Sequence, residues 1–181
     1  MSDVVALIGN PRPGSRTRIL AEAAAATAVT AVAAAAGPTL DGVRVLELAE
    51  ISAVSFGPGP AQPSASVDDP HALVRQARLL VVATPTYKGT YTGLLKVFLD
   101  QYAHRELAGV VAVPVAIAAA EPHRQAVVAA LEALLAELGA TVPAPALAVL
   151  EPALTDPKRL AAQWAADHAS ALADALWAPA K

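Results

Sequence analysis

The sequence predicts an α/β domain: a doubly wound, five-stranded parallel sheet between two layers of helices, in three-layer α/β/α order. Three observations carry that expectation. Five short aliphatic runs, 4–8, 43–48, 79–83, 110–118 and 142–150, have the length and density of strands buried on one or both faces. Helix starts and stops fill the intervals between them. The glycine- and proline-punctuated polar stretches that stand out fall directly after the first and third runs. Strictly alternating strands and helices imply right-handed crossovers, the strand order 2-1-3-4-5, and a ligand crevice where that order reverses, between strands 1 and 3.

Val4 to Ile8 is the first strand, and Gly9 to Thr17 the loop that leads into a helix over about Arg16 to Ala36. Gly9 and Gly14 permit unusual backbone angles, Pro11 and Pro13 stiffen the turn, and Ser15 or Thr17 can cap the helix. Arg12, Arg16 and Arg18 crowd the positive end of that helix, which a plain connecting turn does not require. Free N–H groups, hydroxyls and guanidiniums together form a phosphate cradle that needs no metal. A Walker lysine and a Gly-x-Gly-x-x-Gly fingerprint are both missing, which favours a monophosphate over a pyrophosphate.

Gly37 ends the helix, and the apolar–polar alternation of Val43 to Leu48 suits an edge strand with one covered face. Ser55 to Ser66, with Phe56 as its large apolar residue, is a surface loop that either covers a ligand or simply connects. Asp69-Pro70 opens a helix through Gln76. The buried strand Leu79 to Ala83 then meets Thr84-Pro85-Thr86-Tyr87-Lys88-Gly89-Thr90-Tyr91, and a helix starts near Thr92 or Gly93 with Leu94, Leu95, Phe98 and Leu99 on one side. All three tyrosines of the chain lie between Ala83 and Tyr102. Tyr87 offers a flat stacking surface and Lys88 a charge at the crevice rim, whereas Tyr102 reads as packing. After strand 4, the loop Ala118 to Arg124 borders the same crevice and Glu121-Pro122 opens a helix to Leu138, stopped by Gly139. Asp156-Pro157 starts the last helix, which carries Leu160, Trp164, His168, Leu172 and Leu176.

Composition narrows the function classes. A chain of 181 residues is expected to form one domain, 1–181, and 55% hydrophobic with 16% charged residues excludes a disordered solvating chain. The absence of cysteine removes disulfides, thiolate catalysis and cysteine metal sites, and points to the cytoplasm. Met1-Ser2-Asp3 carries no basic leader. The longest apolar runs, Ala23 to Ala36 and Leu107 to Ala120, span 14 residues each. That is short of the roughly 18 needed to cross a bilayer, so no membrane partner is expected. A net charge of −3 argues against a nucleic-acid partner. His71, His104, His123 and His168 lack metal-ligand spacing, and the chain has no Gly-x-Ser-x-Gly elbow.

Two blocks carry a family resemblance. Gly9-Asn10-Pro11-Arg12 with Ser15-Arg16-Thr17 resembles the phosphate loop of the flavodoxin-like NAD(P)H-dependent FMN reductases. Thr84-Pro85-Thr86-Tyr87-Lys88-Gly89-Thr90-Tyr91-Thr92-Gly93-Leu94-Leu95-Lys96 with Phe98-Leu99-Asp100 is similar to that family's Thr-Pro-x-Tyr-Lys-x-x-Tyr-x-Gly-x-Leu-Lys…Leu-Asp block. Among its members the chain looks most like those supplying reduced FMN to two-component alkanesulfonate monooxygenases, although the tyrosine that some of these insert in the following helix is missing here.

The resemblance implies a flavodoxin-like fold and hydride transfer from NADPH (or NADH) to flavin N5, with no catalytic side chain required. It implies that Arg12, Ser15, Arg16 and Thr17, with Asn10, hold the FMN phosphate. By the same resemblance, Pro85, Thr86, Tyr87 and Lys88 would border the isoalloxazine and ribityl chain, and Lys88 would also meet the pyridine nucleotide or a neighbouring subunit. A homodimer or homotetramer built on the helix after this block would use Tyr91, Leu95, Phe98 and Leu99, and a flavin-dependent monooxygenase is the implied partner. One departure stands out: the family's Thr-Gly-Gly type turn at the flavin's pyrimidine edge is here Ala118-Ala119-Ala120-Glu121. Backbone N–H groups of Ala119 and Ala120 remain usable, but positive φ is costly for alanine and Glu121 adds negative charge, which favours FMN as an exchanging substrate. The alternatives are a tightly FMN-bound quinone, azo or chromate reductase, a non-catalytic flavodoxin-like binding subunit, and, outside flavins, a phosphosugar or nucleotide binder.

Overall fold

In the computed structural model, which describes residues 3–51 and 69–178, five parallel strands form one sheet in the expected order β2-β1-β3-β4-β5. The strands are β1 (Val4–Ile8), β2 (Val43–Glu47), β3 (Leu79–Pro85), β4 (Val111–Ala118) and β5 (Leu147–Leu150). Helices α1 (Arg16–Ala34), α2 (Leu48–Ile51), α3 (Pro70–Arg75), α4 (Gly93–Leu99), α5 (Glu121–Glu137), α6 (Pro157–Asp167) and α7 (Ala169–Trp177) connect and cover them. The loop Ser55 to Ser66, with Phe56, lies outside the described residues.

Alternation of side chains divides the core into two apolar layers. On one face Val4, Ala6, Ile8, Val81, Val113 and Ile117 pack against α1, α6 and α7; on the other Val5, Leu7, Leu80, Val82 and Ala112 pack against α3, α4 and α5. Both faces of β1 and β3 are therefore buried, which is why these strands read as continuous apolar runs. Helix α1 is long and apolar enough, by length and composition, to cross a membrane. Here it is a core helix: Leu20, Ala21, Ala24, Ala25, Ala28 and Val32 are fully buried, and their small side chains bring it close to the sheet and to α6.

Three boundaries differ from expectation for physical reasons. The fifth strand is only Leu147–Leu150, because Pro143 and Pro145 in the expected run have no N–H to give a ladder. Before it, Thr141 makes a single bridge to Val111. The expected last helix is two helices broken at His168, whose φ and ψ of −119° and 11° leave the helical region while its ring packs on Trp164. Strand β2 stops at Glu47 and turns at once into the short α2. Glu47 itself is not on a solvated face as the alternation suggested; it is 2% exposed.

Helix α4 also corrects an expectation. Leu95, Phe98 and Leu99 are buried inside this chain and so are not surface available to a second subunit; Tyr91, partly buried against the same layer, and Val97, 53% exposed, keep accessible surface. Tyr102 is core, as expected, its hydroxyl donating to the His71 carbonyl at 3.1 Å while burial pushes the phenol's pKa up. His71 stacks on Phe98 with ring centroids 4.3 Å apart, a packing role within the chain.

Candidate functional site

The strand register sets Ile8 beside Ala83, Pro85 beside Ile117 and Ala118 beside Leu150, so the loops after β1, β3, β4 and β5 leave the sheet along one edge. A cleft of about 310 Å³ opens there, lined by Asn10, Arg12, Pro13, Ser15, Arg16, Thr17, Pro85, Tyr87, Ile117 and Glu151. A larger groove of about 450 Å³ lies elsewhere between α1 and α6, lined by alanines and threonines with no ionisable group.

The loop after β1 is braced from within. Asn10, 7% exposed, accepts from the Arg12 N–H at 2.9 Å and donates to the Thr17 hydroxyl at 3.1 Å, so it shapes the turn at both ends. Ser15 is the N-cap of α1, its hydroxyl accepting from the Arg18 N–H at 3.3 Å. Gly14 sits at φ +62°, a conformation that L side chains rarely adopt, and donates its N–H to Glu47 Oε1 at 2.9 Å. The other Glu47 oxygen accepts from Arg18 Nη1 at 2.7 Å, and Arg18 Nε donates to Glu22 at 2.7 Å. These two carboxylates raise the Arg18 pKa, Glu22 contributing most. Arg18 is thus turned away from the crowd of cations that the sequence suggested, and serves to neutralise the buried Glu47. Arg12 and Arg16 remain at the cleft.

The loop after β3 is a tight turn. Tyr87 and Thr90 exchange N–H···O bonds of 2.9 and 3.2 Å across Lys88 and Gly89, which both have positive φ, 52° and 85°, the pattern of a type I′ turn. Tyr87 is 42% exposed and lines the cleft, while Lys88, beside it on the turn, does not. Thr86 is tied to β4, both its N–H and its hydroxyl donating to the Ile117 carbonyl at 2.8 and 3.0 Å, so its side chain braces the cleft rather than lining it. Behind both loops, buried Thr92 caps α4 by accepting from the Leu95 N–H at 3.2 Å and donates its own proton to the Gly9 carbonyl. A Cβ on Gly9 would stand 2.6 Å from Leu95 Cβ, so glycine is what lets α4 lie against the first loop.

The loop after β4 answers the concern raised by its alanines. Neither Ala119 nor Ala120 needs positive φ; Ala120 is extended, with φ −144° and ψ 154°. Both are exposed. The Glu121 carboxylate lies along α5, held by Arg124 through bonds of 2.8 and 2.7 Å and by Gln125 at 3.0 Å. Arg124 and then Gln125 pull its pKa down to about 2. Its charge is therefore compensated on its own helix, and neither Glu121 nor His123 lines the cleft.

Of the sequence-expected site residues, the cleft brings together Asn10, Arg12, Ser15, Arg16, Thr17, Pro85 and Tyr87. Thr86, Lys88, Ala119, Ala120 and Glu121 are not among the residues that line it. Sequence reasoning missed Ile117, Glu151 and the supporting Glu47. Glu151, the first residue after β5, was readable only as a strand-end position on the ligand edge of such a sheet. It forms an ion pair with Arg16, Nη2 to Oε2, at 3.1 Å.

Comparisons with known proteins agree with this picture. The family model described as NADPH-dependent FMN reductase matches residues 2–153. An FMN reductase (NADPH) of Pseudomonas putida is 40% identical over 81 residues, 42% of this chain and 41% of that one. One of Escherichia coli is 43% identical over 67 residues, 37% and 35% of the two chains. The chain thus spans about two fifths of the length of these curated relatives. Among solved structures, an apo NADH:FMN oxidoreductase is similar at a TM-score of 0.67 and 26% identity, covering 94% of this chain and 89% of that one. An oxidoreductase from Corynebacterium diphtheriae, at a TM-score of 0.70, 24% identity and coverages of 96% and 98%, shares the fold.

Proposed function

The chain belongs to the NADPH-dependent FMN reductase family, and we propose that it is an NAD(P)H:FMN oxidoreductase whose side chains bind and align the two ligands without reacting themselves. The observation that carries this reading is the cleft itself, where two guanidiniums, a capped helix start and a phenol ring converge on the carboxyl edge of β1 and β3. Its donor set fits a flavin mononucleotide. Arg12, Arg16, the Ser15 hydroxyl and the N–H groups that open α1 suit a phosphomonoester. Pro85, Tyr87 and Ile117 suit a flat, largely apolar ring.

When bound, FMN supplies the redox chemistry, accepting a hydride at N5 from C4 of the nicotinamide. The chain's part is geometric and electrostatic. Asn10 and Thr17 fix the curvature of the phosphate loop, Thr86 fixes the β3 turn against β4, and the exposed face of Tyr87 leaves a stacking surface for a second ring. Lys88, exposed on the same turn but outside the residues lining the cleft, would add positive potential beside it, which favours negative charge on a reduced flavin. Glu121, neutralised by Arg124, does not oppose it.

The reading extends to a homodimer or homotetramer that hands reduced FMN to a flavin-dependent monooxygenase. Oxidation of NADPH and of NADH by the purified protein, with FMN, FAD, riboflavin or no flavin, tests the activity. The expected result is nucleotide oxidation that depends on FMN; none, or a rate indifferent to flavin, overturns it.

A further inference from the structure

Arg16, the first residue of α1, and Glu151, the first residue after β5, come from distant parts of the chain and meet at the cleft with 3.1 Å between Nη2 and Oε2. Their side chains are 57% and 48% exposed, and both line the same cleft as Arg12. Among the described residues Arg12 makes no ion pair, and Arg18 is committed to Glu22 and Glu47. An anion entering the cleft therefore finds one open guanidinium and one already neutralised.

We propose that Glu151 is a built-in competitor for Arg16, holding that guanidinium in the free protein and displaced by the phosphate of the incoming ligand. This rests on the assignment of FMN to the cleft. An exposed ion pair is weak, so a dianion with better hydrogen-bond geometry replaces it. The exchange still subtracts from the gain, and the displaced carboxylate, anchored on the backbone after β5, adds like-charge repulsion. Both effects act on the phosphate and neither on the ring. Glu151 thus lowers the preference for FMN over unphosphorylated riboflavin and keeps FMN exchangeable, a useful property in a protein that gives its reduced flavin away.

The test is the near-isosteric Glu151→Gln, titrated with FMN and with riboflavin by flavin fluorescence. FMN is expected to bind roughly three- to tenfold more tightly than to the wild type, with riboflavin unchanged, from the loss of one half-exposed charge contact. An unchanged FMN-to-riboflavin ratio overturns the proposal, and so does weaker FMN binding, which would make Glu151 an aid to Arg16. Inorganic phosphate, titrated calorimetrically into both proteins, separates this failure from that of the flavin assignment. Phosphate bound more tightly by the variant, with no flavin bound by either protein, supports the competition and overturns only FMN as ligand. Equal phosphate affinity together with equal FMN affinity overturns the competition alone.

Discussion

The Glu47 side chain is only 1% exposed, and its two carboxylate oxygens each receive one donor, the Gly14 N–H and Arg18 Nη1. Replacing it with alanine removes two bonds to a charged acceptor, each worth about 1.5–3 kcal/mol where burial is complete. Water partly replaces both, since Gly14 is exposed and the Arg18 side chain is 36% exposed and keeps Glu22. The expected loss is therefore near the low end, about 2–3 kcal/mol, or roughly 5–10 °C in thermal midpoint at about 2–4 °C per kcal/mol for a chain of this size. Arg18→Ala and the double variant complete a cycle, in which the Glu47–Arg18 contact is expected to show a coupling of about 1–2 kcal/mol. Calorimetry at neutral pH measures all four proteins. A Glu47→Ala midpoint within about 1 °C of wild type, or additive single losses, would refute the view that Glu47 holds the first loop in place.

Three other outcomes follow from the geometry. Arg16→Ala should weaken FMN about tenfold, the effect of losing one charge-assisted contact, and leave riboflavin nearly unaffected; equal losses by fluorescence titration would contradict phosphate binding at α1. Gly9→Ala drives a Cβ to within 2.6 Å of Leu95 Cβ and should destabilise by about 1–3 kcal/mol, seen as a lower denaturation midpoint in urea with an unchanged slope. The Glu121 pKa is lowered from 4.5 to about 2, so its contribution is complete above the upper value and fades as pH falls toward the lower. Thermal midpoints of wild type and Glu121→Gln should accordingly differ by a nearly constant amount from pH 7 down to about 5 and converge below; a gap still undiminished at about pH 2.5 would contradict the ion pair with Arg124.

The sequence made the sheet legible because its inner strands are buried on both faces and thus uniformly apolar, as in Leu79 to Ala83. The two main walls of the cleft were legible for the opposite reason: arginines, prolines and tyrosines interrupt an alanine-rich chain in loops whose position the strand order dictates. What escaped was whatever depends on one residue meeting another far away. Glu47 looked like the outward member of an alternating strand, and only the packing of α1 over β2 shows that Arg18 and Gly14 close over it. Arg18 looked like a third phosphate ligand for the same reason. Glu151 carries no local pattern at all, and Leu95, Phe98 and Leu99 were expected by resemblance at a subunit contact while their helical face belongs to the core.

The bond from the Thr92 hydroxyl to the Gly9 carbonyl spans 83 positions of sequence. With Leu95 seated where Gly9 has no side chain, it makes the start of α4 the back of the first loop's wall. Moving that wall breaks contacts that α4 makes, and detaching α4 removes the support behind the wall. Opening the cleft and melting α4 are therefore expected to be coupled, each costing the contacts that the other shares. A molecule that prefers the intact cleft is therefore expected to slow hydrogen exchange at Leu95 as well as at Gly9, making a helix outside the cleft lining its thermodynamic reporter.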